Sequence, residues 1–183
     1  MLKKIALGVL AILIVILLMA AMKPNTFSVS RSATIAAPPE KIAALITDFH
    51  QWQSWSPWEN LDPAMQRSFS GAASGKGAVY RWQGNKEVGS GRMEIVEAAS
   101  PARTVIKLDF IEPFAASNLT EFSLKADGDH QGGTIATWTM TGPTLFVTRL
   151  MTVFVSMDAL IGKDFERGLA RLKKAAEGAP PAQ

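Results

Sequence analysis

The chain has 183 residues and no cysteine, which excludes disulfides and thiolate chemistry. Its formal charge of +3 is small, and Lys3, Lys4 and Lys23 all flank one apolar run. The remainder is close to neutral, with no basic face of the kind that binds nucleic acid.

That run, Ile5 to Met22, is uncharged throughout. Its 18 residues, at ~1.5 Å rise each, reach about 27 Å as a helix, close to the ~30 Å core of a bilayer. It exceeds the ~7–15 apolar residues of a secretory signal, and its far end offers no clean small-x-small cleavage site. An uncleaved single-pass anchor over residues 1–23 is therefore expected. Lys3, Lys4 and the α-amino group outweigh Lys23 and Arg31, so the positive-inside rule puts the N-terminus in the cytoplasm. The rest of the chain is then expected outside the cell membrane, as a domain over residues 24–177 with a flexible tail at 178–183.

Phe27, Val29, Ala33 and Ile35 alternate with polar residues, as in a half-buried strand. Arg31 falls on the apolar side of that alternation. Ala37-Pro-Pro-Glu40 stops the strand and opens a short helix over residues 41–48. A tryptophan-rich segment, 49–60, follows. Strand-like runs are then expected over 65–70, 78–83, 89–98, 104–110, 116–126 and 134–141. Gly, Ser, Asn, Asp and Pro separate them, which reads as an antiparallel meander in an α+β domain. Gly142-Pro143 ends it. From Thr144 to Glu177, apolar residues recur at three- and four-residue steps, so one helix about 50 Å long is expected. Its first half is apolar nearly all round and needs burial on several sides, or something other than water.

Candidate chemistry is sparse. His50 and His130 lack partners in any nucleophile motif, and no His/Asp/Glu set has metal spacing. No catalytic residue, metal or cofactor is therefore assigned; Asp127, Asp129 and His130 read as a hairpin tip. The aromatics are more informative. Alternation places Tyr80 with Trp82, Asn118 with Thr120 and Phe122, and Trp138 with Met140, each set on one strand face. Together with Phe110, and with Phe154 and Met157 on the expected helix, they are candidate linings of an apolar cavity. Glu94 and Glu121 fall on the opposite face. Trp52, Trp55 and Trp58 are expected to cap the sheet or gate the cavity. Arg31, on an inward face, needs a carboxylate, with Asp158 and Asp164 as candidates.

Several segments carry a family resemblance: Arg31-Ser32, Ala37-Pro-Pro-Glu40, Asp48-Phe-His-Gln-Trp52, Trp55-Ser-Pro-Trp58, Gly75-x-Gly77, Tyr80-x-Trp82, Gly89-x-Gly91-x-Met93, Leu108 to Pro113 and Gly162-Lys-Asp-Phe165. Residues ~26–177 resemble the SRPBCC (START-like) superfamily, in its bacterial polyketide cyclase/dehydrase-like branch. The resemblance implies a helix-grip fold: a curved seven-stranded antiparallel sheet wrapping a long C-terminal helix, with two short helices after the first strand. It also implies a cavity for lipids, polyketides or other apolar ligands. Three functions share that fold: a membrane-anchored binder of a hydrophobic small molecule or lipid, expected here; a cyclase or dehydratase using Tyr80, Arg31 or His50; and a scaffold with a filled interior.

Overall fold

The computed structural model describes residues 1–99, 101–128 and 132–178. Asp129, His130 and residues 179–183 of the tail lie outside them. An N-terminal helix α1, Leu2–Met22, is followed by strand β1, Thr26–Ile35, and helix α2, Pro39–Thr47. A 3₁₀ turn, Phe49–Ser54, leads into six strands. These are β2, Gln66–Gly71; β3, Ala78–Gln83; β4, Ser90–Ala99; β5, Arg103–Glu112; β6, Ala116–Ala126; and β7, Thr134–Pro143. Helices α3, Phe146–Met151, and α4, Met157–Glu177, end the chain.

Among the described residues the seven strands form one antiparallel sheet in the order β1-β7-β6-β5-β4-β3-β2. Strands β2 to β7 are a simple meander, because each connection is short enough only for an antiparallel return. β1 closes the far edge by pairing with β7 over its whole length, Thr26 opposite Pro143 to Ile35 opposite Thr134. This is the expected helix-grip architecture. One boundary moves: Gly142 and Pro143 remain in β7, opposite Phe27 and Thr26.

The expected 50 Å helix is two helices. α3 ends at Met151, and Ser156 starts α4 by accepting a hydrogen bond on Oγ from the Ala159 amide at 3.1 Å. The apolar repeat runs through the gap, so periodicity alone bridged it. Thr148, Thr152, Val153 and Val155 are β-branched and weak helix formers, and a serine cap outcompetes them. α4 is then about 31 Å long, sized to the sheet it crosses.

α4 buries Gly162, Phe165, Gly168, Leu169, Leu172 and Ala176, a stripe of three- and four-residue steps. Gly168 is where the helix backbone comes up against the aromatic core. A Cβ there would stand 2.7 Å from Cζ3 of Trp138 and 3.2 Å from Cδ of Pro57. Trp138 of β7 stacks on Phe165 with ring centres 4.3 Å apart and planes 5° from parallel. Trp55 meets Trp138 edge-on at 5.6 Å, and Phe122 lies 4.9 Å from Trp138. Such pairs add about 0.5–1.5 kcal/mol each beyond their buried area.

Candidate functional site

Between the concave face of the sheet and α4 lies a cavity of about 310 Å³. Its wall is almost entirely carbon. Trp82, Met93, Leu108, Phe110 and Met140 come from the sheet; Met157 and Ile161 come from the first turns of α4. They share a wall because β3, β4, β5 and β7 present alternate residues to one face, and that face looks at the helix.

The polar groups in the wall are few. Asn118 and Thr120 stand on β6, and the Asn118 amide has a sulfur partner, Met140 Sδ, at 3.9 Å. Thr120 Oγ1 and the indole Nε1 of Trp138 are buried without a hydrogen-bond partner. A buried unpaired donor of this kind costs about 1–3 kcal/mol.

The third polar feature is a buried ion pair. Glu59 is 6 % exposed. Its Oε1 accepts from the Tyr80 hydroxyl at 2.7 Å, and its Oε2 accepts from Arg67 Nε at 2.7 Å. Arg67 also donates to the Glu59 and Met65 carbonyls at 2.7 and 2.8 Å. A charge so deep is tolerated only when paired and hydrogen-bonded, and here both carboxylate oxygens are. Burial, reinforced by the neighbouring Glu59, pushes the Tyr80 phenol well above its ordinary pKa. Tyr80 is thus a held proton donor at neutral pH.

Of the candidate linings, Tyr80, Trp82, Phe110, Asn118, Thr120, Trp138, Met140 and Met157 border the cavity. Two are elsewhere. Phe122, on the same face as Thr120 but one pair deeper, is sealed among Trp52, Trp55 and Trp138. Phe154 falls in the α3–α4 connection and points outward, 71 % exposed. The three tryptophans expected to cap or gate differ in their surroundings, Trp58 being only partly buried. Trp52 and Trp55 are buried, and their indole N–H groups donate to the Ile46 and Leu45 carbonyls at 2.9 and 3.1 Å. Those bonds fix them to α2. Trp52 and Trp58 contribute to the cavity wall while Trp55 packs behind them.

Arg31 pairs with Asp158, at 2.7 and 3.0 Å, and with Glu166 at 2.7 Å. Asp164 instead pairs with Arg167 on its own helix. The hydrogen bonds from Arg31 hold the Asp158 carboxyl below its ordinary range. This cluster fastens β1 to α4 outside the cavity. His50 is also remote: it is exposed, bonded to Asp48 and stacked 4.0 Å from Phe69. Glu94 pairs with Arg92, and Glu121 with Arg103, on the outer face.

Sequence reasoning missed Glu59, Met65, Met93, Leu108 and Ile161, along with Ser56, Glu87 and Val88. For Met93 and Leu108 a signal existed, since alternation puts them with Gly91 and with Phe110. For Glu59 nothing in the local pattern marks an acid that turns inward. Among the described residues no group of three or more His, Cys, Asp and Glu side chains could hold a metal ion.

Residues 26–177 match the family model described as polyketide cyclase/dehydrase and lipid transport. No curated protein matches the sequence significantly. Solved structures with the same fold include protein CV1439 from Chromobacterium violaceum, at 14% identity and TM-score 0.55, covering 86% of this chain and all of the other. The Aha1 dimer structure from Colwellia psychrerythraea aligns at 17% identity and TM-score 0.57, covering 82% and 96%. The di-domain ARO/CYC protein BexL of the BE-7585A biosynthetic pathway aligns at 16% identity and TM-score 0.60; 88% of this chain covers 53% of that longer one. At these identities the likeness is one of fold.

Proposed function

The chain belongs to the polyketide cyclase/dehydrase and lipid transport family, and from that premise we propose that it is a membrane-anchored binding protein for a hydrophobic small molecule or lipid. One observation carries this reading: the space between sheet and α4 is an apolar cavity with a handful of polar groups, not a packed core. A scaffold with a filled interior has no use for it.

The volume limits the occupant. Some 310 Å³ is roughly ten water-sized groups. That suits a compact apolar molecule or one end of a lipid. Glu59 is paired with Arg67 and the other charged group in the wall is the carboxylate of Glu87, so the wall offers no cation to an anionic head. The unpartnered Trp138 Nε1 and Thr120 Oγ1 favour a ligand that carries an uncharged oxygen acceptor. α1, with its 21 apolar-rich residues nearly all exposed, is the membrane anchor, and it keeps the cavity beside a lipid source.

The test compares small molecules that co-purify with the full chain and with an Ile161→Trp variant. The larger side chain projects from α4 into the cavity. Mass spectrometry is expected to find a stoichiometric apolar compound with the parent and not with the variant, while both unfold at similar temperatures. Equal recovery from the two proteins would sink the binding reading.

Catalysis in the same cavity has one observation in its favour, the Tyr80–Glu59 contact in the wall. Both Glu59 oxygens are already engaged and Tyr80 keeps its proton, so the pair is better suited to orienting an oxygen than to abstracting hydrogen. Turnover of a polyketide-like substrate, lost in Tyr80→Phe with folding intact, would favour the enzyme.

A further inference from the structure

The junction with α1, the open side of the cavity and the most exposed apolar side chains lie at one end of the sheet. Register fixes this. Thr26 at the start of β1 faces Pro143 at the end of β7; Leu119 faces Thr141; Phe110 faces Ala116; Ser90 faces Glu112. That end therefore bears the 23–25 junction, the 111–116 hairpin and the 144–156 segment. It also bears Phe110, Val88 and Met157, cavity residues that keep some solvent contact. The opposite end, by Phe122 and Leu124, is solid.

The apolar exposure at this end is large. Ile111 and Phe114 stand out from the hairpin; Leu145, Val147, Met151 and Phe154 stand out from the α3 region, each more than half exposed. Exposed apolar side chains gathered at one end of a domain mark a contact site. Two observations say what covers it. First, α3 packs against α1, so the α3 part of this surface is continuous with the helix read above as a membrane span. Second, Arg149 is the only charged residue between Thr144 and Met157. Its guanidinium lies 5.4 Å from the centre of the Phe146 ring, and its Nε is buried there without a hydrogen-bond partner. A lone cation among apolar side chains, where a span meets water, is placed to meet lipid phosphate.

We propose that this end of the domain docks into the bilayer that α1 spans, with Phe114 at the tip of the β5–β6 hairpin and the 144–156 segment immersed and the cavity opening into lipid. The inference rests on α1 being a span. Ligand then moves between bilayer and cavity without crossing water. Lys86, Glu87 and Glu112 stand at the same end but on the side of the sheet away from β1. They define the tilt: the β1 side sits deeper and the β3–β4 turn stays at the headgroups.

The absence of native cysteine makes a direct test possible. Single-cysteine variants of the full chain, Ile12→Cys, Phe114→Cys, Phe154→Cys and Lys125→Cys, are labelled with a small fluorophore and reconstituted in phosphatidylcholine–phosphatidylglycerol vesicles. Each is challenged with spin-labelled lipid and with aqueous iodide, after thermal unfolding has verified the fold. Lipid quenching is expected at positions 12, 114 and 154, and iodide quenching at 125, which lies at the other end of β6. Iodide quenching at 114 and 154, with lipid quenching kept at 12, would overturn docking and leave the anchor standing. Protection of 114 and 154 from both quenchers would also overturn it, in favour of a protein cover or a second copy. An aqueous label at position 12 would remove the anchor reading and docking together.

Discussion

The two ends of the sheet are built to opposite rules. At the closed end Trp52, Trp55, Phe122, Trp138 and Phe165 pack ring against ring, and the Trp52 and Trp55 N–H groups are bonded. At the open end the same faces carry Met93, Leu108, Phe110 and Met140 around empty volume, and the rim is exposed hydrocarbon. The closed end supplies the rigidity and dispersion energy that let the open end stay hollow. Stability and binding are thus separated along one sheet and one helix, with Trp138 at the seam.

Mutations one turn apart on α4 break this comparison most directly. Phe165→Ala at the closed end is expected to cost about 3–5 kcal/mol in denaturant unfolding, whereas Ile161→Ala, already facing a void, is expected to cost about 1 kcal/mol. Similar losses at both would mean the two ends are packed alike. Next comes Arg67→Met, which strips buried Glu59 of its counter-charge and is expected to cost about 3 kcal/mol. A near-neutral result would mean that the pair is not desolvated.

Tyr80 sharpens the contrast through pH. It is the chain's single tyrosine, so tyrosinate absorbance reports on it alone. Its folded pKa is raised by burial, so folding is unpenalised below the unfolded value of about 10 and loses stability above it. Phenolate is expected to appear only together with unfolding in alkali; titration of the intact fold near pH 10 would contradict the buried donor. Tyr80→Phe is expected to cost about 1–3 kcal/mol by removing one Glu59 partner.

The outer Arg31 cluster gives a smaller effect with the opposite pH sense. Asp158 has a depressed folded pKa, so its contribution is present above the ordinary carboxylate range and is lost as pH falls through the folded value. The stability difference between parent and Asp158→Asn is expected to be slight at neutral pH and to vanish in acid. Smallest of all is Phe154→Ser, expected within about 0.5 kcal/mol of the parent because the ring touches little in the folded domain.

Much of the fold was legible because strands interrupted by Gly, Pro and Asp leave few ways to arrange an antiparallel meander. The alternating faces were legible for the same reason: period two leaves no choice once one residue is known to be inside. What escaped was three-dimensional. On α4, Asp158 and Glu166 lie eight residues and so about 80° apart, while Asp164 is about 240° round from Asp158. Arg31 can reach the first two together and not the third, but no strand pattern reveals how the helix is rotated. The break at residues 152–156 escaped because an apolar repeat reports which residues share a face, not whether the backbone stays helical. Glu59 escaped because its burial depends on Arg67 and Tyr80, brought in by two different strands.

The junction between α1 and β1 is only Lys23, Pro24 and Asn25, and the Asn25 carbonyl is itself held by the Thr144 amide at 2.7 Å. From Met22 to Thr26 the chain reaches about 14 Å at full extension. With α1 in a bilayer, such a leash lets the domain tilt on the surface but not leave it. A protein so tied would not ferry cargo across a gap between two membranes; under the proposed function it would serve the leaflet beneath it, as a fixed receiver from which a diffusing partner would have to collect.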